Sequence, residues 1–283
     1  MTNPASTVRL RKIGRVLHDL REESGLTLKA ASRRLERSTT SLCLIEKGNQ
    51  WLRFRDLEYI LDRYKAPPDV RDALMTLARQ HKQTGWWDAY KDVISHDARD
   101  FASVEWDSAD IISTQTAVIP GFLQTADYAR TVLRADPQAP QPDRAERLVE
   151  FRLARQQILL RDPPTSLHVI IDEAALRRMR GGRTVMRSQV RRLIQECDQE
   201  HVNLQVLPFA VDPGPAYTGQ FQLLDIGRPP ILSLVLIDEI TSRLVREEPA
   251  EITRYRSVYN YAKEVALTKE DSRELMLEIL SEL

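Results

Sequence analysis

Apolar residues recur at helical spacing through residues 1–80, and the breaks between them fall where helices start or end. Val8, Ile13, Val16, Leu17 and Leu20 mark one apolar face, which Gly25 closes as a left-handed cap. Thr27 is placed to cap "LKAASRRLE", and Ser38 to cap "TTSLCLIEK", which Gly48 ends. Phe54, Leu57, Ile60, Leu61 and Tyr64 line a fourth helix. After the break at Pro67-Pro68, Val70, Ala73, Leu74 and Leu77 line a fifth. The pattern predicts an all-α domain of five short helices over residues 1–80.

Past Gln80 the pattern changes. "TGWWDAY" supplies a glycine and three aromatics, and a second domain, residues 81–283, is placed from there on. Trp86 and Trp87 can stack on bases or dock the two domains together; docking is the expected use. A Pro/Gln/Ala-rich loop, 135–146, leads into a long helix, "RAERLVEFRLARQQILLR". Four short apolar runs follow, "LHVII", "VNLQVLPF", "FQLLDI" and "ILSLVLI", rich in branched residues and bounded by Pro, Gly or Asp, so they read as strands. The tight "GRPP" loop between the last two favours a hairpin over a helical crossover. From Pro249 on the chain returns to two helices. The second domain is therefore predicted to be α+β with a mixed or antiparallel sheet. No repeat occurs at solenoid spacing, although "IDE" appears at 171–173 and 237–239.

Composition narrows the function classes. The longest compact apolar run, 231–237, is far too short to span a bilayer, and no export signal is apparent at the N-terminus, so a cytoplasmic protein without a membrane partner is expected. Cys43 and Cys197 have no paired spacing, which argues against a disulfide framework or a thiolate zinc site. The chain is neutral overall, yet residues 1–80 carry 16 Lys and Arg against 10 Asp and Glu, leaving 25 against 31 in the remainder. A basic module fused to an acidic one suits a nucleic-acid reader joined to a domain that avoids nucleic acid; local fluctuation in a charged surface is the bland alternative.

Two short helices joined by a tight turn, in a basic bundle, meet the requirement for helix-turn-helix docking on double-stranded DNA. Stepping the third helix by about 100° per residue puts Leu42 and Ile45 on an inward side. Thr40, Cys43, Leu44 and Lys47 fall on the opposite side, with Thr39 on its flank. Thr39 and Thr40 can hydrogen-bond a base or phosphate, Lys47 suits a phosphate, and Cys43 and Leu44 offer apolar contact best matched by a thymine methyl. Lys29, Arg33, Arg34, Arg37, Arg53 and Arg55 surround this stripe. The alternative is that the apolar part of the stripe packs on another part of the protein. With no arginine on the stripe for a guanine, modest affinity dominated by phosphates is expected.

The stretch "GRVLHDLREESGLTLKAASRRLERSTTSLCLIEKGNQ" resembles the Xre/Cro-repressor helix-turn-helix family, with its Leu-Arg…Gly-Leu-Thr opening and Ile-Glu-x-Gly close. It departs from that family at Glu36, where a turn glycine is usual, at Cys43-Leu44 in place of Ser-Arg, and at Leu28 in place of Gln. A slightly different turn and the absence of two backbone anchors are therefore expected. The rest is similar to the C-terminal, antitoxin-like domain of actinobacterial WhiJ-like regulators. The matching pieces include "VEWDSADI", "VIPGFLQTADYAR", "RLARQQILL", "IDEAAL", "GGRTVMRSQV" and "VNLQVLPF". Together the two resemblances cover nearly the whole chain. They imply a transcriptional regulator, often encoded beside a small partner protein, and no established reaction or ligand.

In the larger domain, "VIPGFLQTADYAR" predicts a turn at Pro120-Gly121, with Thr125 or Asp127 capping the next helix. Gln124 and Tyr128 beside it can line a pocket for a ligand or partner, or belong to a structural corner, the expected role. Arg152, Arg155 and Gln156 share one helix face and can form an anion site, although a solvated face or internal ion pairs are expected. "MRGGR" reads as a flexible interhelix turn, since it lacks the rest of a phosphate loop. Of the carboxylate pairs, Asp172-Glu173 is expected to cap a helix, while Asp238-Glu239 stays open between metal, acid–base and structural roles. The five histidines are scattered, and His168 reads as a core or rim residue. No metal, cofactor or catalytic constellation is predicted.

Three functions remain in play. The chain is expected to be a sequence-specific DNA-binding regulator, a homodimer whose C-terminal domain senses a partner protein, such as a small one encoded by a neighbouring gene, or a small ligand. The alternative is an antitoxin-like protein-interaction module with little DNA affinity. An enzyme with an attached DNA-binding domain is the third and is not expected.

Overall fold

In the computed structural model, which describes residues 7–80, 85–138, 140–212, 214, 219–239 and 243–283, all five predicted helices form, the second and third ending two residues and one residue short of their predicted runs. Thr7 Oγ1 accepts from Leu10 N and opens α1 (Val8–Glu23). Thr27 caps α2 (Leu28–Arg34), and Ser38 caps α3 (Thr39–Glu46) through Ser41 N at 3.1 Å. α4 (Phe54–Arg63) and α5 (Pro68–Gln80) follow. Leu17, Leu42, Ile45, Leu57, Ile60, Leu61 and Leu77 are buried together as the apolar faces converge.

Helices α1 to α4 all end in the same way. The residue after each C-cap takes a left-handed φ, and the next amide reaches back five residues: Leu26 N to Arg21 O, Arg37 N to Ser32 O, Asn49 N to Leu44 O and Ala66 N to Leu61 O. Gly25 and Gly48 fill two of these positions, each at φ +67°. Glu36 and Lys65 fill the others, at φ +53° and +54°. The altered α2–α3 turn expected from the missing glycine is thus corrected: the left-handed turn is kept, and Glu36 bears the strain of it.

The chain divides into two compact units. The first runs through Lys91 and takes in Ser95–Ser103; the second comprises Asp92–Ile94 and Val104–Leu283. The helical unit therefore extends beyond Gln80, where the sequence pattern placed the boundary; the junction itself, residues 81–84, lies outside the described residues, as does His81. Within this unit Trp86 and Trp87, in a 3-10 turn (Trp86–Tyr90), meet edge to face at 5.8 Å. Arg9, almost fully buried, donates to Ser103 Oγ and O at 2.7 and 2.9 Å from the helix His96–Asp107 (α6).

The second unit is built on a mixed six-stranded sheet of β1 (Ser108–Gln115), β2 (Ser166–Asp172), β3 (Val202–Leu207), β4 (Phe221–Ile226), β5 (Leu232–Asp238) and β6 (Arg243–Arg246). Their order is β3-β2-β1-β4-β5-β6. β1, β2 and β3 are parallel, with Ile111 opposite Leu167 and Val169 opposite Leu204. β4 runs antiparallel to β1, and β4 and β5 form the predicted hairpin with Leu224 opposite Leu234. One face buries Ile112, Ile170, Leu207, Phe221, Leu223 and Val235 with Tyr259 and Ala262 of α11 (Pro249–Val265). The alternate residues Ile111, Leu167, Val169, Leu204, Val206 and Leu234 are equally buried on the other face. Burial on both faces explains why the strands read as continuous apolar runs. α12 (Lys269–Glu282) completes the predicted C-terminal helix pair.

The apolar pattern missed two strands. β1 sits at the centre of the sheet yet carries Ser113, Thr114 and Gln115 inward, so its alternation is broken by polar groups. They are satisfied locally: Gln115 Nε2 donates to Ser113 Oγ at 3.0 Å, and Phe221 N to Thr114 Oγ1 at 3.3 Å. β6 is a four-residue edge strand, too short to show a period. The long helix expected over 144–161 is also corrected. It is α8 (Pro142–Ala154), started by a proline at its first turn, and it tightens into a 3-10 turn, Arg155–Leu159.

Glu36→Gly should raise stability by about 1 kcal/mol, because glycine takes a left-handed φ without the 1–2 kcal/mol penalty of an L side chain. Gly25→Ala should lower it by a similar amount, since a Cβ there meets no atom within 4 Å and only the backbone conformation opposes it. Urea unfolding of both variants checks this, and a destabilised Glu36→Gly protein would contradict it.

Candidate nucleic-acid interface

α3 is held against α1 by a contact that only glycine allows. A Cβ on Gly14 would lie 2.5 Å from Ile45 O and 2.6 Å from Glu46 O, both backbone atoms of α3 and its end. One on Gly48 would lie 2.7 Å from the backbone of Arg11. This approach brings Glu46 over Arg21, whose Nε and Nη2 donate to its two carboxylate oxygens at 2.7 and 3.0 Å. Both side chains are only 5% exposed, so the pair is buried. Arg21 also donates to Leu26 O at 2.8 Å, and His18 Nδ1 lies 3.0 Å from Glu46 Oε2. The hydrogen bond to Glu46 raises the Arg21 pKa above its ordinary value, keeping it charged. In the same core the Tyr64 hydroxyl is pushed up to about 12, chiefly by burial.

With α3 seated, its faces separate as the spacing predicts. Leu42 and Ile45 are buried at 0% and 2% exposure. Thr39, Thr40 and Lys47 are exposed, while Cys43 and Leu44 are half-buried. Lys47 is the C-cap rather than a residue of the helix. Around this stripe Lys29, Arg33, Arg34, Arg53 and Arg55 are exposed. Arg37 is half-buried and pairs with Asp56 at 3.0 Å, so part of its charge is already compensated. Ser41 Oγ donates to Gln50 Oε1 at 3.2 Å, tying the segment after α3 back to it. The result is an exposed hydroxyl pair on one short helix and a lysine at its C-cap, ringed by basic side chains: a surface able to grip phosphates and to touch base edges.

The sequence pattern overlooked the residues that seat α3. Leu10, Gly14, Leu17 and Arg21 fall on one helical stripe, so both Gly14 and Arg21 stood in apolar phase. A glycine and a charge on a core stripe were the available signal.

The four residues singled out in the larger domain come together at one corner. Thr125 caps α7 (Ala126–Arg134), accepting from Tyr128 N. Gln124 and Tyr128 are 2% and 0% exposed. Gln124 Nε2 donates to Ile119 O at 2.7 Å, its Oε1 accepts from Arg152 Nη1 at 3.1 Å, and the Tyr128 hydroxyl accepts from Ile119 N. Arg155 forms a two-pronged pair with Glu105 at 2.7 and 2.8 Å and lies over the Phe122 ring. Burial alone would lower the Arg155 pKa, yet the Glu105 carboxylate outweighs it and raises it. Among the described residues Arg152 forms no such two-pronged pair, and burial followed by the neighbouring Arg155 pushes it down to about 10. Asp172 caps α9 (Glu173–Arg177) through Ala174 N, as predicted, and Asp238 pairs with Arg243. Gly181 and Gly182, at φ +69° and +87°, form the turn into α10 (Arg183–Glu196). His168, half-buried in β2, lies 4.0 Å from Asp110, and burial lowers its pKa.

Two family models match the chain. One, described as a helix-turn-helix domain, covers residues 12–74 and so takes in α2 and α3; the other, described as a domain of unknown function (DUF5753), covers residues 98–278. Comparison with curated proteins and with solved structures gives no significant match. Among the described residues no helix is long and apolar enough to cross a membrane, and no group of three His, Cys, Asp or Glu is arranged to hold a metal ion.

Glu46→Ala should cost about 1.5–3 kcal/mol, because Arg21 loses its two-pronged partner and keeps only the exposed Glu22 carboxylate and Leu26 O. Replacing the pair together, Arg21→Met with Glu46→Leu, should cost less than that single change. Chemical denaturation of the variants checks the order. An inexpensive Glu46→Ala would mean the pair does not hold α3.

Proposed function

We propose that this chain, which belongs to the family described as a domain of unknown function (DUF5753) and carries a helix-turn-helix domain ahead of it, is a sequence-specific transcriptional regulator of Xre type. One observation carries the reading: Thr39 and Thr40 of α3 and its C-cap Lys47 are exposed, while the opposite face of the helix is locked by Leu42, Ile45 and the Arg21–Glu46 pair. A rigid helix with a free polar stripe and flanking Lys29, Arg33 and Arg53 suits insertion into a major groove. The protein acts as a homodimer on an inverted repeat, because one short helix makes too few base contacts for useful specificity. Half-sites then lie about 10 base pairs apart or a multiple of that. The larger unit, akin to that of WhiJ-like regulators, senses a small ligand or a partner protein encoded nearby, in the cytoplasm. No reaction is assigned to the chain.

A second reading draws on Cys43 and Leu44, half-buried residues in the middle of the stripe. They favour an antitoxin-like interaction module that keeps the helix-turn-helix form with little DNA affinity. Selection from randomised duplexes separates the two. Enrichment of an inverted repeat supports the regulator, and enrichment of no motif supports the interaction module.

Lys47→Ala and Arg33→Ala should weaken binding to all sequences and reduce the salt slope by about one each. Thr40→Ala should instead change preference at one base step. Were Lys47→Ala to alter sequence preference with an unchanged salt slope, the docking orientation would be wrong.

A further inference from the structure

Two arginines one turn apart stand beside Gly121 at the Pro120 corner: Arg152 near the end of α8, and Arg155 at the start of the 3-10 turn that follows. A Cβ on Gly121 would lie 3.6 Å from Arg155 Nη1 and 3.9 Å from Arg152 Cγ, so the glycine puts no side chain over either. Glu105 takes Arg155 side-on, with Nε on one carboxylate oxygen and Nη2 on the other. Arg152 presents the same edge without such a partner. Its Nη1 donates to Gln124 Oε1 at 3.1 Å, while Nε and Nη2 donate to nothing among the described residues. The side chain is half-buried, and neither nitrogen is among those closed off from solvent, so a dissolved ion can reach this fork.

The charge around the fork does not balance. Arg155, Asp238 and Arg243 are the charges that act on Arg152. Glu105 is already bonded to Arg155, and Asp238 to Arg243, so three guanidinium groups share two carboxylates and the charge left over is that of Arg152. Taking a charge out of water without a counter-charge is costly, which is why burial and Arg155 depress the Arg152 pKa. Asp238 stands at the carboxyl end of β5, on the sheet face turned away from α11. Near that end of the sheet the same face carries Ser113, Gln115 and Gln222 in place of apolar residues, with Gln222 opposite Ser113.

A cation would meet three guanidinium groups here, and an apolar molecule would leave the Arg152 charge uncompensated. The edge formed by Nε and Nη2 matches two oxygens held side by side, as Glu105 shows on Arg155. We propose that Arg152, beside Gly121, binds a small ligand through an oxyanion, a carboxylate or phosphate group seated on Nε and Nη2. This deepens the sensing role proposed above and rests on that reading for its consequence at DNA.

Calorimetric titration of the full chain, without DNA and at ionic strength held constant with chloride, tests the site with inorganic phosphate and with acetate. Saturable binding of at least one of them at millimolar concentration is expected; tighter phosphate would assign a phosphorylated ligand, and tighter acetate a carboxylic acid. Arg152→Met should weaken that binding by about tenfold or more. Gly121→Leu keeps every charge of the chain, including those on the helical unit, and should weaken it too by laying a side chain along Arg152. Thermal unfolding without added anion checks that each variant is folded. Absence of saturable binding by either anion would overturn the proposal, as would a folded variant of either kind that binds like the parent. Because the titration contains no DNA, its failure leaves the DNA-binding reading standing, and loss of DNA binding leaves the assignment of Arg152 standing.

Discussion

The distance of closest approach between α1 and α3 governs what the helical unit can do. Gly14 lets the backbone of α1 touch the carbonyls of Ile45 and Glu46, and Gly48 lets the end of α3 lie on Arg11. Only at that separation do Arg21 and Glu46 meet in register with both carboxylate oxygens used. A buried ion pair returns little net stability once desolvation is counted, so its contribution here is to fix one seating of α3 among the many an apolar face alone would tolerate. That seating decides which residues of α3 face solvent, and hence what the helix can touch.

The second unit solves a different problem. A mixed sheet covered on both faces needs its connections to turn without leaving backbone groups dry, and glutamine side chains perform that service at the Pro120 corner. Gln189, fully buried, donates to Leu123 O and accepts from Thr125 N, both at 2.7 Å. Gln156 donates to Gly121 O and Gln124 O. Gln124 links Ile119 O to Arg152. A glutamine offers both donor and acceptor on a neutral side chain, so it can replace missing backbone partners without burying a charge. The turning backbone at this corner is thus satisfied by neutral side chains.

Much of this was legible in the sequence, because local signals and tertiary structure agree in the first unit. Thr27, Ser38, Gly25 and Gly48 cap helices where their chemistry says they should, and the period of α3 sorts Leu42 and Ile45 from Thr40 and Lys47. The hairpin at "GRPP" and the paired C-terminal helices were equally plain. What stayed hidden was set by long-range pairing. β1 is central to the sheet, yet its Ser113 and Thr114 are buried by neighbours that no local pattern reveals. α8 tightens into a 3-10 turn at Arg155, whose partner Glu105 lies 50 residues away. Glu36 takes a glycine's conformation because the two flanking helices demand it. The exposed stripe on α3 was visible from spacing; the Gly14 contact and Arg21–Glu46 pair that hold it in place needed the fold.

The chain's own thiols give the most direct reading of whether α3 meets DNA. Cys43 is half-buried on the stripe, while Cys197 is buried and its thiol is pushed up to about 11 by burial, so an alkylating reagent reports on the first with the second as internal control. Modification of Cys43 should slow markedly once the protein is saturated with a duplex carrying its selected inverted repeat, with Cys197 unmodified throughout. A Cys43 that reacts at the same rate in the free protein and in the complex would show that DNA, if bound, lies elsewhere, and the account of α3 as the reading helix would fail.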